Sequence, residues 1–195
     1  MKQTDSTSRA VRAARVLIIA VGCLALPACY DFPVPLDPEP KLKLDERLVG
    51  AWLCVPSEPT IPPSLRVRAR EGDLVMALQF EARNLRYGIR LVGMDKPDEE
   101  AAWEGFASEL GERTVLNLRA ISEKPEEDRK QVTLVSYRLL SKDVVQFDLI
   151  DDKPVKGKPL SPSSELRKTL LSHRPQSELF SPFMVCVRAK IEDPS

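Results

Sequence analysis

The sequence predicts a mainly β fold: an antiparallel up-and-down β-barrel of about eight strands, with one C-terminal helix followed by a final strand. Three observations carry this. Apolar and polar residues alternate with a period of two through most of the chain after residue 48, as half-buried strands require. Turn signals at Glu71-Gly72-Asp73, Gly111 and Ser141-Lys142-Asp143 interrupt the alternation, which is the rhythm of hairpins. One later stretch, carrying Leu166, Leu170 and Leu171, has helical spacing with helix punctuation at both ends.

In chain order, the first element is an address. Lys2, Arg9, Arg12 and Arg15 precede a short apolar run, residues 16–26, that Pro27 ends. A basic start before a short apolar run has the plan of a secretory signal peptide. A membrane-spanning helix needs about 20 apolar residues, and this run is shorter. Leu26-Pro27-Ala28-Cys29 resembles the bacterial lipoprotein signal, in which a Leu and a small residue precede the modified Cys. That resemblance covers residues 1–29. It implies removal of residues 1–28 and a diacylglycerol thioether on Cys29, whose new amino group is N-acylated with a chain such as palmitate. Several acyl chains on one residue suffice for stable anchoring. Tyr30, rather than an acid, follows the Cys, and Asp31 comes one place later. The implied location is the cell envelope, on the outer membrane facing the periplasm.

Residues 29–46 read as the lipidated Cys and a proline-rich tether. Pro33, Pro35, Pro38 and Pro40 prevent a helix and favour an extended conformation. At about 3.1 Å per residue, such a spacer reaches roughly 50 Å from the lipid. The folded domain is expected over residues 47–195. It opens with an apolar strand at 48–55 that ends at Pro56, and a loop with Pro59, Pro62 and Pro63 follows. Leu65, Val67 and Ala69 alternate with three arginines and lead into a turn at Glu71-Gly72-Asp73. The next strand, 74–81, places Leu74, Met76, Leu78 and Phe80 on one face. Leu85, Tyr87, Ile89 and Leu91 alternate with Arg86, Gly88 and Arg90. Strands at 102–109 and 114–121 flank Gly111, and strands at 132–139 and 144–150 flank Ser141-Lys142-Asp143. The charged run 123–130 reads as a solvated loop. Ser161 suits a helix cap and Pro162 a first helical position. His173 and Arg174 suit a helix C-terminus, and Pro175 stops the helix. The last strand is expected at 183–191.

The signal holds four of the 29 Lys and Arg and one of the 29 Asp and Glu. The mature chain is therefore slightly acidic and makes no electrostatic case for nucleic acid. Of the four cysteines, Cys23 leaves with the signal and Cys29 is lipidated. Cys54 and Cys186 remain in a compartment that permits disulfides. They form either one bridge or two separate buried thiols.

Gly50-x-Trp52 resembles the signature of the lipocalins and the wider calycin group. In that group the Trp closes the bottom of an eight-stranded barrel and packs against an Arg from late in the chain. Setting Cys54 opposite Cys186 in an antiparallel pair also sets Trp52 opposite Arg188, on the same face. The resemblance thus implies a structural Trp52–Arg188 pair beside a Cys54–Cys186 bridge, with the first and last strands adjacent.

No catalytic, cofactor-binding or metal-binding residue stands out. The single histidine, His173, is accounted for by the helix end. No glycine-rich phosphate loop or Gly-x-Ser-x-Gly elbow is present. Glu99-Glu100, Glu126-Glu127 and Asp151-Asp152 are adjacent in sequence, and neighbours on a strand face opposite sides. The sequence therefore points to a non-enzymatic lipoprotein. Its barrel either binds a small apolar ligand or acts as an envelope interaction module. An open curved sheet with the helix in its concavity is the rival architecture, and a hydrolase with dispersed carboxylates the rival chemistry.

Overall fold

The computed structural model describes residues 31–57, 75–93, 96–121, 131–158, 160 and 162–190. The expected signal and Cys29, the alternating stretch 65–70 with its turn, the loop 123–130 and Ser161 lie outside the described residues.

Nine strands and one α-helix are described: β1 (Asp31–Phe32), β2 (Gly50–Pro56), β3 (Met76–Arg83), β4 (Arg86–Gly93), β5 (Lys96–Leu110), β6 (Arg113–Ala120), β7 (Val132–Ser141), β8 (Val144–Ile150), α1 (Ser163–Ser172) and β9 (Phe180–Arg188). Strands β2 to β8 pair successively, and β9 lies between β8 and β2 and closes an eight-stranded antiparallel barrel. Hairpin turns are tight where the residues permit. Asn84 (φ 57°) and Gly111 (φ 62°) occupy the left-handed region, which Asn tolerates and Gly adopts freely.

The barrel has two cores. Inward-facing residues of alternating parity fill the lumen, including Trp52, Phe80, Tyr87, Leu116, Tyr137 and Phe147. A second core lies on the outside, where Val115, Leu134 and Ile150 face away from the lumen and pack against Leu166 and Leu170 of α1. Strand β7 is therefore covered on both faces, which explains why Val132 and every residue from Leu134 to Tyr137 are buried. The barrel is closed and α1 lies on its convex surface, so the rival open sheet with the helix in its concavity is ruled out.

The proline-rich segment differs most from expectation. Residues 31–48 are not a free tether. Phe32 (0% exposed) and Leu36 (1%) enter the outer core, and β1 pairs with the start of β7. The Leu36 N–H donates to Asn117 Oδ1 at 2.7 Å. Arg167 of α1 donates to Asp37 Oδ2 (2.8 Å) and to the carbonyls of Leu36 and Glu109. Farther on, Leu42 and Leu44 pack against the inner core. The prolines do exclude helix, but the apolar residues between them find a binding surface. The domain therefore begins no later than Asp31, not at residue 47. Smaller differences are the start of β9 at Phe180 rather than 183 and Pro162 standing at the N-cap of α1.

Phe32→Ala should therefore lower the unfolding free energy by about 3–5 kcal/mol, the usual cost of emptying a buried aromatic site. Denaturant titration measures it; a change within the range of ordinary surface substitutions would show that the segment is dispensable.

Candidate functional site

The two ends of the barrel differ. One end is sealed by the chain just before β2. A short 3-10 turn (Glu46–Leu48) crosses it and buries Leu48. The Trp52 indole N–H donates to the Leu48 carbonyl at 2.8 Å. Trp52 stands opposite Arg188 in the β2–β9 register, and the Arg188 guanidinium lies 4.3 Å from the Trp52 ring centroid. That is cation–π distance. The same guanidinium donates to the carbonyls of Val49 (3.0 Å) and Arg47. Gly50 sits at φ 123°, and a Cβ there would stand 3.0 Å from Arg188 Nη1. Backbone conformation and the approach of the arginine both require glycine at this position. Two register positions further along, on the same face, Cys54 and Cys186 stand opposite each other with Cα atoms 4.0 Å apart and form a disulfide.

A second fastening of this end was not visible in the sequence. The Asp45 N–H donates to the Tyr87 hydroxyl at 2.6 Å, and the Tyr137 hydroxyl donates to Asp45 Oδ2 at 3.3 Å. Arg47 closes a two-point contact on the Asp45 carboxylate, both bonds 2.8 Å. These residues come from three distant segments, and alternation identifies the tyrosines only as inward-facing. Burial pushes the Tyr87 phenol up to about 12 and raises that of Tyr137 as well. Both stay protonated at neutral pH and act as hydrogen-bonding posts, not nucleophiles. Arg47 holds the Asp45 carboxyl below its ordinary value against the opposing effect of burial.

Above the seal the lumen is filled. Phe80 stacks on Phe147 with centroids 5.9 Å apart and meets Tyr87 edge-on at 5.8 Å. Further apolar residues pack at the margin of this core. Met76, Leu91, Trp103, Leu118 and Phe183 are only partly buried against the core. The register sets Met76, Leu91 and Leu118 toward the end away from Trp52: Met76 pairs with Gly93, Leu78 with Leu91, and Leu118 with Thr133.

Two surface clefts lie on the outside of the barrel. One, of about 320 Å³, runs beside the docked N-terminal segment and is lined by outward-facing Phe106, Asn117 and Arg119; its Arg86 and Glu104 pair with each other at 3.3 Å. The other, of about 450 Å³, contains His173, which caps α1, together with Asp151 and Glu178. Asp148, 2% exposed, is neutralised by Arg113 at 2.9 Å and bonded by Gln146 at 2.7 Å. The Asp152 carboxyl is raised by burial. The Glu126-Glu127 pair lies outside the described residues, as do the side chain of Glu99 and any contact it makes. Among the described residues no group of three His, Cys, Asp or Glu is placed to hold a metal.

A closed eight-stranded antiparallel barrel with a C-terminal helix on its outer wall and a last strand beside the first matches a lipocalin/calycin-like fold. Comparison with protein-family models, curated proteins and solved structures returns no match.

Two measurements probe the sealed end. Replacing both Cys54 and Cys186 by Ser should lower stability by up to about 4–5 kcal/mol, because the bridge closes a 132-residue separation. A midpoint shift in urea reports it, and an unchanged midpoint would show the seam to be held by strand pairing alone. Asp45 has a folded pKa below its unfolded value, so its stabilisation is present above the unfolded value and is lost as pH falls through the folded one. Asp45→Asn should therefore melt below the wild type at pH 7, and the gap should close below about pH 4. Melting curves across that range decide it.

Proposed function

We propose that this is a non-enzymatic binding domain of the cell envelope, anchored through acylated Cys29, that takes one small apolar group at the open end of its barrel. The observation that carries this is a closed barrel, sealed at one end by Leu48 and Trp52, whose inner core leaves Leu91, Trp103 and Leu118 only partly buried. Apolar side chains that line a concavity and stay partly exposed favour an apolar occupant, since burial contributes about 25 cal/mol per Å² of apolar surface. A filled lower lumen limits the occupant to the upper half, in keeping with the single small ligand an eight-stranded barrel can hold. Export and lipidation rest on residues 1–29, and the Cys54–Cys186 bridge suits an oxidising compartment. No helix among the described residues is long and apolar enough to cross a membrane, and an acylated Cys29 supplies the attachment.

A second reading is supported by a different surface. Leu53, Val55, Val185 and Val187 are 38–48% exposed, and the β2–β9 register pairs Leu53 with Val187 and Val55 with Val185. This apolar stripe along the seam suits an envelope protein partner.

The two tryptophans make the first reading measurable. Mature chain beginning at Tyr30, exported without the lipobox, is titrated with a medium-chain fatty acid while indole emission is followed. Binding should shift the emission in the wild type, and Trp103→Asp should weaken affinity at least tenfold, about 1.4 kcal/mol. Equal responses would place the ligand elsewhere and leave the seam stripe as the binding surface. Mass spectrometry of the native N-terminus tests the anchor: acylated Cys29 is expected, and an unmodified cysteine or a different first residue would refute it.

A further inference from the structure

The cleft of about 320 Å³ beside the docked N-terminal segment is large enough for a small ligand. Its floor is apolar: Pro35 and Val132 are buried, and Phe106 is 5% exposed. Asn117 forms part of the wall and is fully committed. It accepts from the Leu36 N–H at 2.7 Å and donates to the Phe106 carbonyl (3.2 Å) and the Ser108 hydroxyl (2.8 Å). The docked segment thus supplies Pro35 to the cleft and fastens its wall.

The charged groups stand on the rim. Register sets Gly88, Glu104 and Arg119 in one row across β4, β5 and β6. The Arg86 guanidinium lies 5.2 Å from the Phe106 ring centroid, and Glu104 approaches its Nε at 3.3 Å. Arg86 is held on two sides, yet its Nη groups take no hydrogen bond among the described residues. Arg119 is exposed, and among the described residues no carboxylate comes within ion-pair distance of it. Two guanidinium groups against one carboxylate leave the cleft a surplus positive charge. Guanidinium donors match the oxygens of a phosphate, and the apolar floor suits a phosphate that carries an apolar body.

We propose that this cleft binds phosphate between Arg86 and Arg119, and that the phosphate belongs to the headgroup of a membrane lipid. The lipid source rests on the acylation of Cys29 proposed above. Phe32 stands opposite Val132 of the cleft floor, and Cys29 is three residues before Phe32. Three extended residues span at most about 11 Å. An anchor at Cys29 therefore keeps the cleft beside the headgroup layer. Residues 31–37 give no slack, because Phe32, Leu36 and the Arg167–Asp37 ion pair hold them to the outer core. Attachment raises the effective headgroup concentration to roughly millimolar or more, which suits a site with only two arginines.

The test follows phenylglyoxal, which modifies accessible guanidinium groups, by peptide mass spectrometry. Arg119 reports the cleft. Arg90, exposed on β4 and outside the cleft, is the reference. In the first arm the mature, acylated protein is floated with vesicles of phosphatidylglycerol or of a phosphate-free galactolipid. Arg119 should react about tenfold more slowly on phosphatidylglycerol, as at a headgroup concentration about ten times the dissociation constant. Arg90 should react equally on both, and Arg86→Gln should remove the protection of Arg119. Equal rates at Arg119 on the two lipids, or a parallel slowing of Arg90, would overturn the lipid site. In the second arm the mature chain beginning at Tyr30 meets inorganic phosphate in solution at constant ionic strength. Saturable protection of Arg119 is expected. Protection in solution with none on vesicles would overturn the lipid source and leave a soluble phosphate as the ligand. No protection in either arm would overturn the phosphate site itself. Protein that does not float would overturn the anchor, while the second arm still decides whether the cleft binds phosphate.

Discussion

The pairing of β2 with β9 is the constraint on which the other features depend. An antiparallel sheet can follow chain order from one hairpin to the next, and β3 to β8 do. Closure needs a contact between segments far apart in sequence, whose loop entropy must be offset by strong local interactions. The seam supplies them in one short stretch: a disulfide, a guanidinium over an indole, and a carbonyl-bonding arginine wedged against a glycine without a side chain. Each depends on the same register. A one-residue slip would turn Trp52 and Cys54 outward and place Leu53 in the lumen.

Closure also dictates how the remaining chain is used. A barrel leaves no free sheet edge, so what stays exposed is apolar surface on its outer wall. Strands β6 to β8 carry enough outward apolar residues to form a second core, and α1 and the segment before β2 cover it. That segment then crosses to the sealed end, where Asp45 binds two tyrosines from the lumen wall. One stretch rich in proline thus completes the outer core and stoppers the inner one.

The barrel was legible because its evidence is local. Period-two alternation, Gly111 and Ser141-Lys142-Asp143 predict the hairpins directly, and the spacing of Leu166 and Leu170 predicts the helix. The seam was legible for another reason: cysteine pairing sets a register, and a register carries its neighbours with it. The docked segment was not legible. Pro33, Pro35, Pro38 and Pro40 mark it as extended, but extended chain can hang free or lie on a surface, and sequence spacing does not distinguish the two. The deciding groups, Asn117, Arg167 and the outward side of β7, come from residues 80 to 130 positions away. The latch at Asp45 was hidden in the same way. The partial exposure of Trp103 and Leu118 was hidden too, because the alternation pattern treats them like any other inward position.

The contacts of residues 31–37 impose an order of assembly. Phe32 needs Val132, Leu36 needs Asn117, and Asp37 needs Arg167, so the first part of the domain to be synthesised is among the last able to find its place. Until β7 and α1 have been made, residues 31–37 have no surface to occupy. Once β7 and α1 arrive, the same stretch is withdrawn into the outer core. The topology therefore schedules the docking of residues 31–37 after the strands and helix that receive them.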